Sequence, residues 1–95
     1  MSLRWTKPAL RDLEEIGDFI ARDNVLAAAE TVATILDAAE ALATHPQLGR
    51  AGRIAGTREL VVAQTPFVVP YRVVGDDVQI LAVFHGARRW PERFE

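Results

Sequence analysis

“FVVPYRVVGDDVQILAVFH”, residues 67–85, is the stretch on which the fold turns. Two runs rich in β-branched and aromatic residues flank “GDD”, the pattern of paired strands around a breaker. Gly75-Asp76 suits the left-handed angles of a two-residue hairpin turn. With that turn, Val74 pairs with Asp77 and Arg72 with Gln79. One face then collects Phe67, Val69, Tyr71, Val73, Val78, Ile80, Ala82 and Phe84, wholly apolar and committed to a core. The other collects Val68, Pro70, Arg72, Val74, Gln79, Leu81, Val83 and His85. Pro70 has no N–H to give to the ladder, so a bulge or a free edge is expected beside it. An apolar face with scattered polar groups marks a docking surface, unless the C-terminal tail or a second copy covers it.

Upstream, “RELVVAQ” (58–64) reads as a further strand closed by a “TP” turn. Before it, “QLGRAGRIAGT” (47–57) is a glycine-rich loop that holds Arg50 and Arg53. The period then changes to that of helices. “VLAAAETVATILDAAEALATHP” (25–46) places Val25, Val32, Ile35, Leu36, Ala39 and Leu42 on one stripe, and Pro46 stops the helix near His45. Alanine fills much of the remainder, favouring the helix and letting a neighbour approach closely. A first helix over about 7–22 has Leu10, Leu13, Ile16 and Ile20 at three- and four-residue steps. Thr6 is placed to cap it, with Pro8 in its first turn, and Asp23 or Asn24 is placed to cap the second. The short break at 22–24 predicts an antiparallel helical hairpin. “LRW” (3–5) reads as an opening strand. The expected fold class is α+β: β-α-α-β-β-β, a helical hairpin packed on one face of a mostly antiparallel four-stranded sheet, forming a single domain over residues 1–95.

Composition bounds the chemistry. Hydrophobic residues at 49% and charged residues at 25% are globular values and exclude the disordered class. With no cysteine, disulfides and thiolate metal sites are ruled out. No apolar run approaches the roughly 18–20 residues of a membrane span, and “MSLRWTKPAL” has no signal-peptide core, so a cytoplasmic location is expected. Residues 1–44 carry four basic against eight acidic side chains, whereas residues 45–95 carry seven arginines against five acids. An acidic first half is thus joined to a basic second half that ends in “HGARRWPERF” (85–94). Arg88, Arg89 and Arg93 around Trp90 read as a phosphate- or carboxylate-binding tip, or else as a solvated tail.

Several site chemistries drop out. The two histidines, His45 and His85, lack ligand spacing, so no metal and no cofactor is expected. “GRAGRIAGT” lacks the Lys-Ser/Thr ending of a phosphate loop, and Ser2 is the only serine available as a nucleophile. Asp12, Glu15 and Asp18 read as a solvated helix face. Metal-free RNA cleavage needs a proton acceptor, a cation for the phosphorane and a proton donor. Arginines can supply the charge, but only His85 titrates near neutrality.

The element order, “ALRDLEEIGDFI” on the first helix, “HPQLGR” after the second, “GTREL”, “YRV” and “VQILAVFHGAR” together resemble the ParE/RelE superfamily of toxins from type II toxin–antitoxin systems. The resemblance spans essentially the whole chain. It implies a growth-inhibiting toxin, with a role in plasmid stabilisation, held in a hetero-oligomer by a ParD-like antitoxin. RelE-like members cut mRNA in the ribosome, whereas ParE-like members poison DNA gyrase. A gapless match puts Glu59 and Val61 at the lysine positions of the nuclease branch and Val68 at its arginine position, and only Arg88 of “HGAR” is retained. The resemblance therefore implies a ParE-like gyrase inhibitor, with the ribosome and mRNA as the alternative target through His85, Arg88 and Arg72. A third possibility is an inactive fold kept for antitoxin binding and operon repression. The implied target-binding residues are Arg88, Arg89, Trp90, Arg93 and His85. The implied antitoxin-binding residues are Val68, Arg72, Val74, Leu81 and Val83. No membrane partner is implied, nor direct DNA binding without the antitoxin.

Overall fold

A parallel pairing joins the start of the chain to its last long strand. β1 (Ser2–Trp5) lies beside β5 (Asp77–Ile80) with Ser2 opposite Asp77 and Trp5 opposite Ile80. Thr6 then closes the strand and opens the helix. Its Oγ1 donates to the Ile80 carbonyl at 2.7 Å and accepts from Ala9 N–H at 3.4 Å, which satisfies one of the unpaired amides of a helix start. A computed structural model describes residues 1–87 together with Trp90 and Phe94.

α1 (Lys7–Ala21) and α2 (Val25–Glu40) form the expected hairpin, and Asn24 caps α2 by accepting from Ala27 N–H at 2.9 Å. The buried arcs are narrower than the sequence stripes. α1 buries Ala9 and Leu13 and lays Ile16 against the core, while Leu10, one residue-step away from Ala9 around the helix, is exposed. α2 buries Ala28, Ile35 and Ala39; Leu36 is exposed for the same angular reason, and Val25 stands exposed in the first turn. A 3₁₀ turn, Ala41–Ala43, carries Leu42 into the core before Pro46.

The loop expected at 47–57 contains a two-residue strand, β2 (Arg50–Ala51), paired antiparallel with β3 (Arg58–Val61). β3 pairs with β4 (Phe67–Val74), and β4 turns through Gly75, at φ 58°, into β5. The hairpin register is the predicted one, with Val74 opposite Asp77 and Arg72 opposite Gln79. A further pair of residues, β6 (Phe84–His85), returns to the start of β4. The four longer strands form the expected mostly antiparallel sheet in the order β1-β5-β4-β3, with β2 and β6 as short additions. Ile35, Leu42, Val69, Tyr71, Val78 and Ile80 fill the space between hairpin and sheet.

Beside Pro70 the ladder gains a residue. Tyr71 faces Ile80, but Val68 faces Phe84, so Val69 and Pro70 oppose Leu81, Ala82 and Val83. The Pro70 carbonyl accepts from Leu81 N–H at 2.9 Å, while its missing N–H forbids the reciprocal bond. A one-residue bulge exchanges the two faces of everything beyond it. Three expectations are corrected in consequence. Val83 joins the core instead of the outer face. Phe84 pairs with outward-facing Val68 instead of facing the helices. His85 pairs with Phe67, on the helix side, instead of lying on the outer face.

Candidate functional site

Tyr71 fixes the approach to the basic loop. Fully buried in β4, it donates from its hydroxyl to the Pro46 carbonyl at 2.7 Å and accepts from Gly49 N–H at 2.8 Å. A side chain at Gly49 would place its Cβ 2.6 Å from the Tyr71 ring, so only glycine fits there. Arg58 adds a bond from Nη1 to the Gly49 carbonyl at 2.8 Å. Burial pushes the Tyr71 hydroxyl above its usual range, against the smaller opposing effects of the Gly49 amide and the Arg58 charge. “HPQLGR” and “YRV” are thus two halves of one structural contact.

The loop so anchored presents Arg50 and Arg53 to Glu59 on the outer face of β3. Glu59 is 3% exposed, and among the described residues its side-chain hydrogen bonds come from this loop. Oε1 accepts from Arg50 Nη2 at 3.1 Å and from Nε at 3.3 Å. Oε2 accepts from the Arg53 backbone N–H at 2.8 Å and from Arg53 Nε at 3.2 Å. Burial alone would raise the Glu59 pKa, but the Arg53 amide, the Arg50 bonds and both guanidinium charges outweigh it and hold the carboxyl below its usual range. Arg53 also stacks on the Trp90 ring, its Cζ 3.5 Å from the centroid. Trp90 in turn lies 4.9 Å from the Phe84 ring and donates from Nε1 to the His85 carbonyl at 3.4 Å. Phe94 stacks on Phe84 from 6.0 Å. Trp90 thus lies back on the domain. Neither the role of Glu59 as an ion-pair centre nor the pairing of Arg53 with Trp90 is evident from residue type. Only the opposition of Arg50 to Glu59 across the short β2–β3 pair could signal it, and the glycine-rich composition of 47–57 hides that strand.

A second region lies on the helix side. A groove of about 850 Å³ is bounded by Asp12, Glu15, Asp18 and Phe19 of α1 and by Phe67 and His85 of the strands. Asp12 is not a freely solvated side chain. Its Oδ2 accepts from Val83 N–H at 3.0 Å, supplying a partner to an amide left free by the bulge. Its burial raises the carboxyl pKa, with the Val83 bond opposing and Glu15 adding to the rise. Phe19 is 62% exposed at the groove edge. His85 meets Phe67 edge-on at 5.9 Å, and its Nδ1 accepts from Ala87 N–H at 3.2 Å.

The residues expected to form sites are divided by this geometry. Arg72 is exposed on the outer face and bonded to Gln79 Oε1 at 2.9 Å. His85 is on the helix side, five residues away along β4, about 17 Å at the strand rise. The set His85, Arg88 and Arg72 is therefore not assembled as one centre through His85 and Arg72. Of the expected antitoxin-binding residues, Val74 is exposed, but Val68, Leu81 and Val83 are buried within the chain itself. Gly86 lies against Val68, and the bulge carries Val83 inward. Arg88, Arg89 and Arg93 lie outside the described residues. Among the described residues no group of acidic, histidine or cysteine side chains is placed to hold a metal, and no helix is long and apolar enough to cross a membrane.

The comparisons with known proteins agree with this architecture. The sequence profile of the ParE toxin of the type II toxin–antitoxin system parDE matches residues 3–90. Y4kP of Sinorhizobium fredii is 51% identical over 90 residues, covering 95% of this chain and 93% of that protein. Toxin RelE2 of Caulobacter vibrioides is 40% identical over 84 residues, covering 88% and 93%. Among solved structures, the chromosomal ParDE toxin–antitoxin system from P. aeruginosa superposes with a TM-score of 0.81 at 32% identity, covering 90% of this chain and 95% of that one. The RelBE2 toxin–antitoxin complex of Mycobacterium tuberculosis, at 24% identity and a TM-score of 0.63, shares the fold over 88% and 95%. With a profile match that leaves out only the first two residues and the last five, the chain belongs to the ParE toxin family of type II toxin–antitoxin systems.

Proposed function

We propose that this toxin acts without catalysis, by binding DNA gyrase through its basic C-terminal segment, and that a ParD-like antitoxin neutralises it in a cytoplasmic hetero-oligomer. The observation that carries this reading is the dispersal of the groups a nuclease would use. His85 and Arg72 are on opposite faces of the sheet. Glu59 is committed to Arg50 and Arg53, and Val61 and Val68 bring no charge to the other two positions at which the nuclease branch carries cations. Neutralising a phosphorane and moving two protons needs such groups within hydrogen-bond reach of one phosphate. A binding function needs only a presented surface, and “HGARRWPERF” supplies arginines and an aromatic residue of the kind that dominate interface energetics.

The antitoxin surface in this reading moves away from the buried part of the outer face. The groove beside α1 offers exposed Phe19 with a rim of Asp12, Glu15 and Asp18, and suits an amphipathic segment with basic flanks. The resemblance to the RelE-like branch of the superfamily leaves mRNA cleavage as the competing activity. Induction in cells separates the readings. Filamentation with an SOS response supports gyrase binding. Rapid loss of translation with cut mRNA replaces it with the nuclease activity, and unimpaired growth indicates an inactive fold kept for binding the antitoxin.

A further inference from the structure

We propose that Arg53 is a positioning residue, which clamps Trp90, the residue directly after Arg89 in the proposed target-binding stretch, against the sheet and so supports target binding. This inference rests on the proposed role of that segment and adds a residue in a distant loop as its support. Arg53 is itself held at two points, since its backbone N–H and its Nε both donate to Glu59 Oε2. The guanidinium is thereby fixed over the outer face, where its far side covers the Trp90 ring at 3.5 Å. Phe84 supports Trp90 from the strand end, and the Trp90 Nε1–H reaches back to the His85 carbonyl. The order from sheet to tail is Glu59, Arg53, Trp90, so a carboxylate buried in β3 orients an aromatic residue 31 positions later.

Arginine is suited to this place because its planar cation can bond a carboxylate in its own plane while stacking on an indole face. Arg50 shares Glu59 but has no stacking contact with Trp90 among the described residues, which makes it a control for loss of the ion pair alone. A contact of this kind changes a seated-to-released ratio by roughly 2- to 30-fold, toward the lower end for a side chain as exposed as Arg53.

The test is made on the full chain with Arg53→Gln, Arg53→Lys and Arg50→Gln. NMR follows the Trp90 indole N–H and the upfield ring-current shift of the Arg53 side-chain protons, while induction measures growth inhibition. Arg53→Gln is expected to move the Trp90 indole signal toward its solvent-exposed position and to relieve growth inhibition, with a fall in melting temperature matched by Arg50→Gln, which also takes one guanidinium partner from buried Glu59. Arg53→Lys is expected to restore both in part, and Arg50→Gln to leave the Trp90 signal in place. An unshifted Trp90 signal in Arg53→Gln, or equal release by Arg50→Gln, overturns the clamp. Release of Trp90 with full growth inhibition overturns the positioning role. Wild-type chain that shows the ring-current shift but does not inhibit growth leaves the clamp standing and instead refutes the proposed toxicity.

Discussion

Replacing Tyr71 with phenylalanine removes one oxygen from a fully enclosed position and leaves two backbone groups without partners. In the native chain the Tyr71 hydroxyl accepts from Gly49 N–H at 2.8 Å and donates to the Pro46 carbonyl at 2.7 Å. Phenylalanine keeps the ring packing, so no cavity term arises beyond that single atom. The Gly49 amide cannot turn to water without moving a loop that Arg58 also holds. A buried donor left unsatisfied costs about 1–3 kcal/mol, and the carbonyl, which tolerates under-bonding better, adds less. The sum is about 2–3 kcal/mol, or roughly 10–20 °C in melting temperature for a domain of this size. Urea unfolding should show a lower midpoint with an unchanged slope, since the surface exposed on unfolding is the same. The wild type should also lose stability as pH rises above 10, the ordinary tyrosine value, because burial holds the folded pKa higher and the unfolded chain releases its proton first. Tyr71→Phe should lack that alkaline loss. A destabilisation below about 0.5 kcal/mol would refute the view that this hydroxyl anchors the loop.

Other substitutions probe the remaining contacts. Asp12→Asn keeps an acceptor for Val83 N–H and removes a carboxylate that burial disfavours, so stability at neutral pH should hold or rise, whereas Asp12→Leu should lose about 1–3 kcal/mol by denaturant titration. Glu59 has a folded pKa below the ordinary 4.5, so its stabilisation is complete above that value and is lost as pH falls through the lower folded pKa; Glu59→Gln should flatten this acid limb in melting curves. Arg88→Ala with Arg89→Ala should abolish growth inhibition on induction while leaving the melting temperature and most antitoxin affinity intact; full toxicity at wild-type expression would mark the tip as a solvated end.

The hairpin at 67–80 was legible to the residue because Gly75-Asp76 admits few turn types, and a two-residue turn fixes the register of every pair behind it. The helix caps were legible for a similar local reason: Thr6 and Asn24 stand one step before apolar periodicity begins. What lay beyond Pro70 was half legible. The missing N–H announces a bulge or a free edge without fixing which, and strict alternation through it puts Phe84 and His85 on the wrong faces and leaves Val83 outside the core. Faces set by tertiary contact were hidden as well. Nothing in “ALRDLEEI” indicates that Asp12 reaches Val83, 71 residues later. Nor does residue type predict that Arg53, in a glycine-rich loop, meets Trp90 near the chain end. Family membership was legible because it rests on the order of many short motifs. The structure explains two of them, “HPQLGR” and “YRV”, as partners in a single buried contact.

The most direct test of the account measures supercoiling by purified DNA gyrase in the presence of the purified toxin, alongside mRNA on programmed ribosomes. The account predicts that supercoiling is inhibited, that added ParD-like antitoxin restores it, and that the mRNA stays intact. Undiminished supercoiling together with codon-spaced mRNA cuts, lost on His85→Ala, would contradict it.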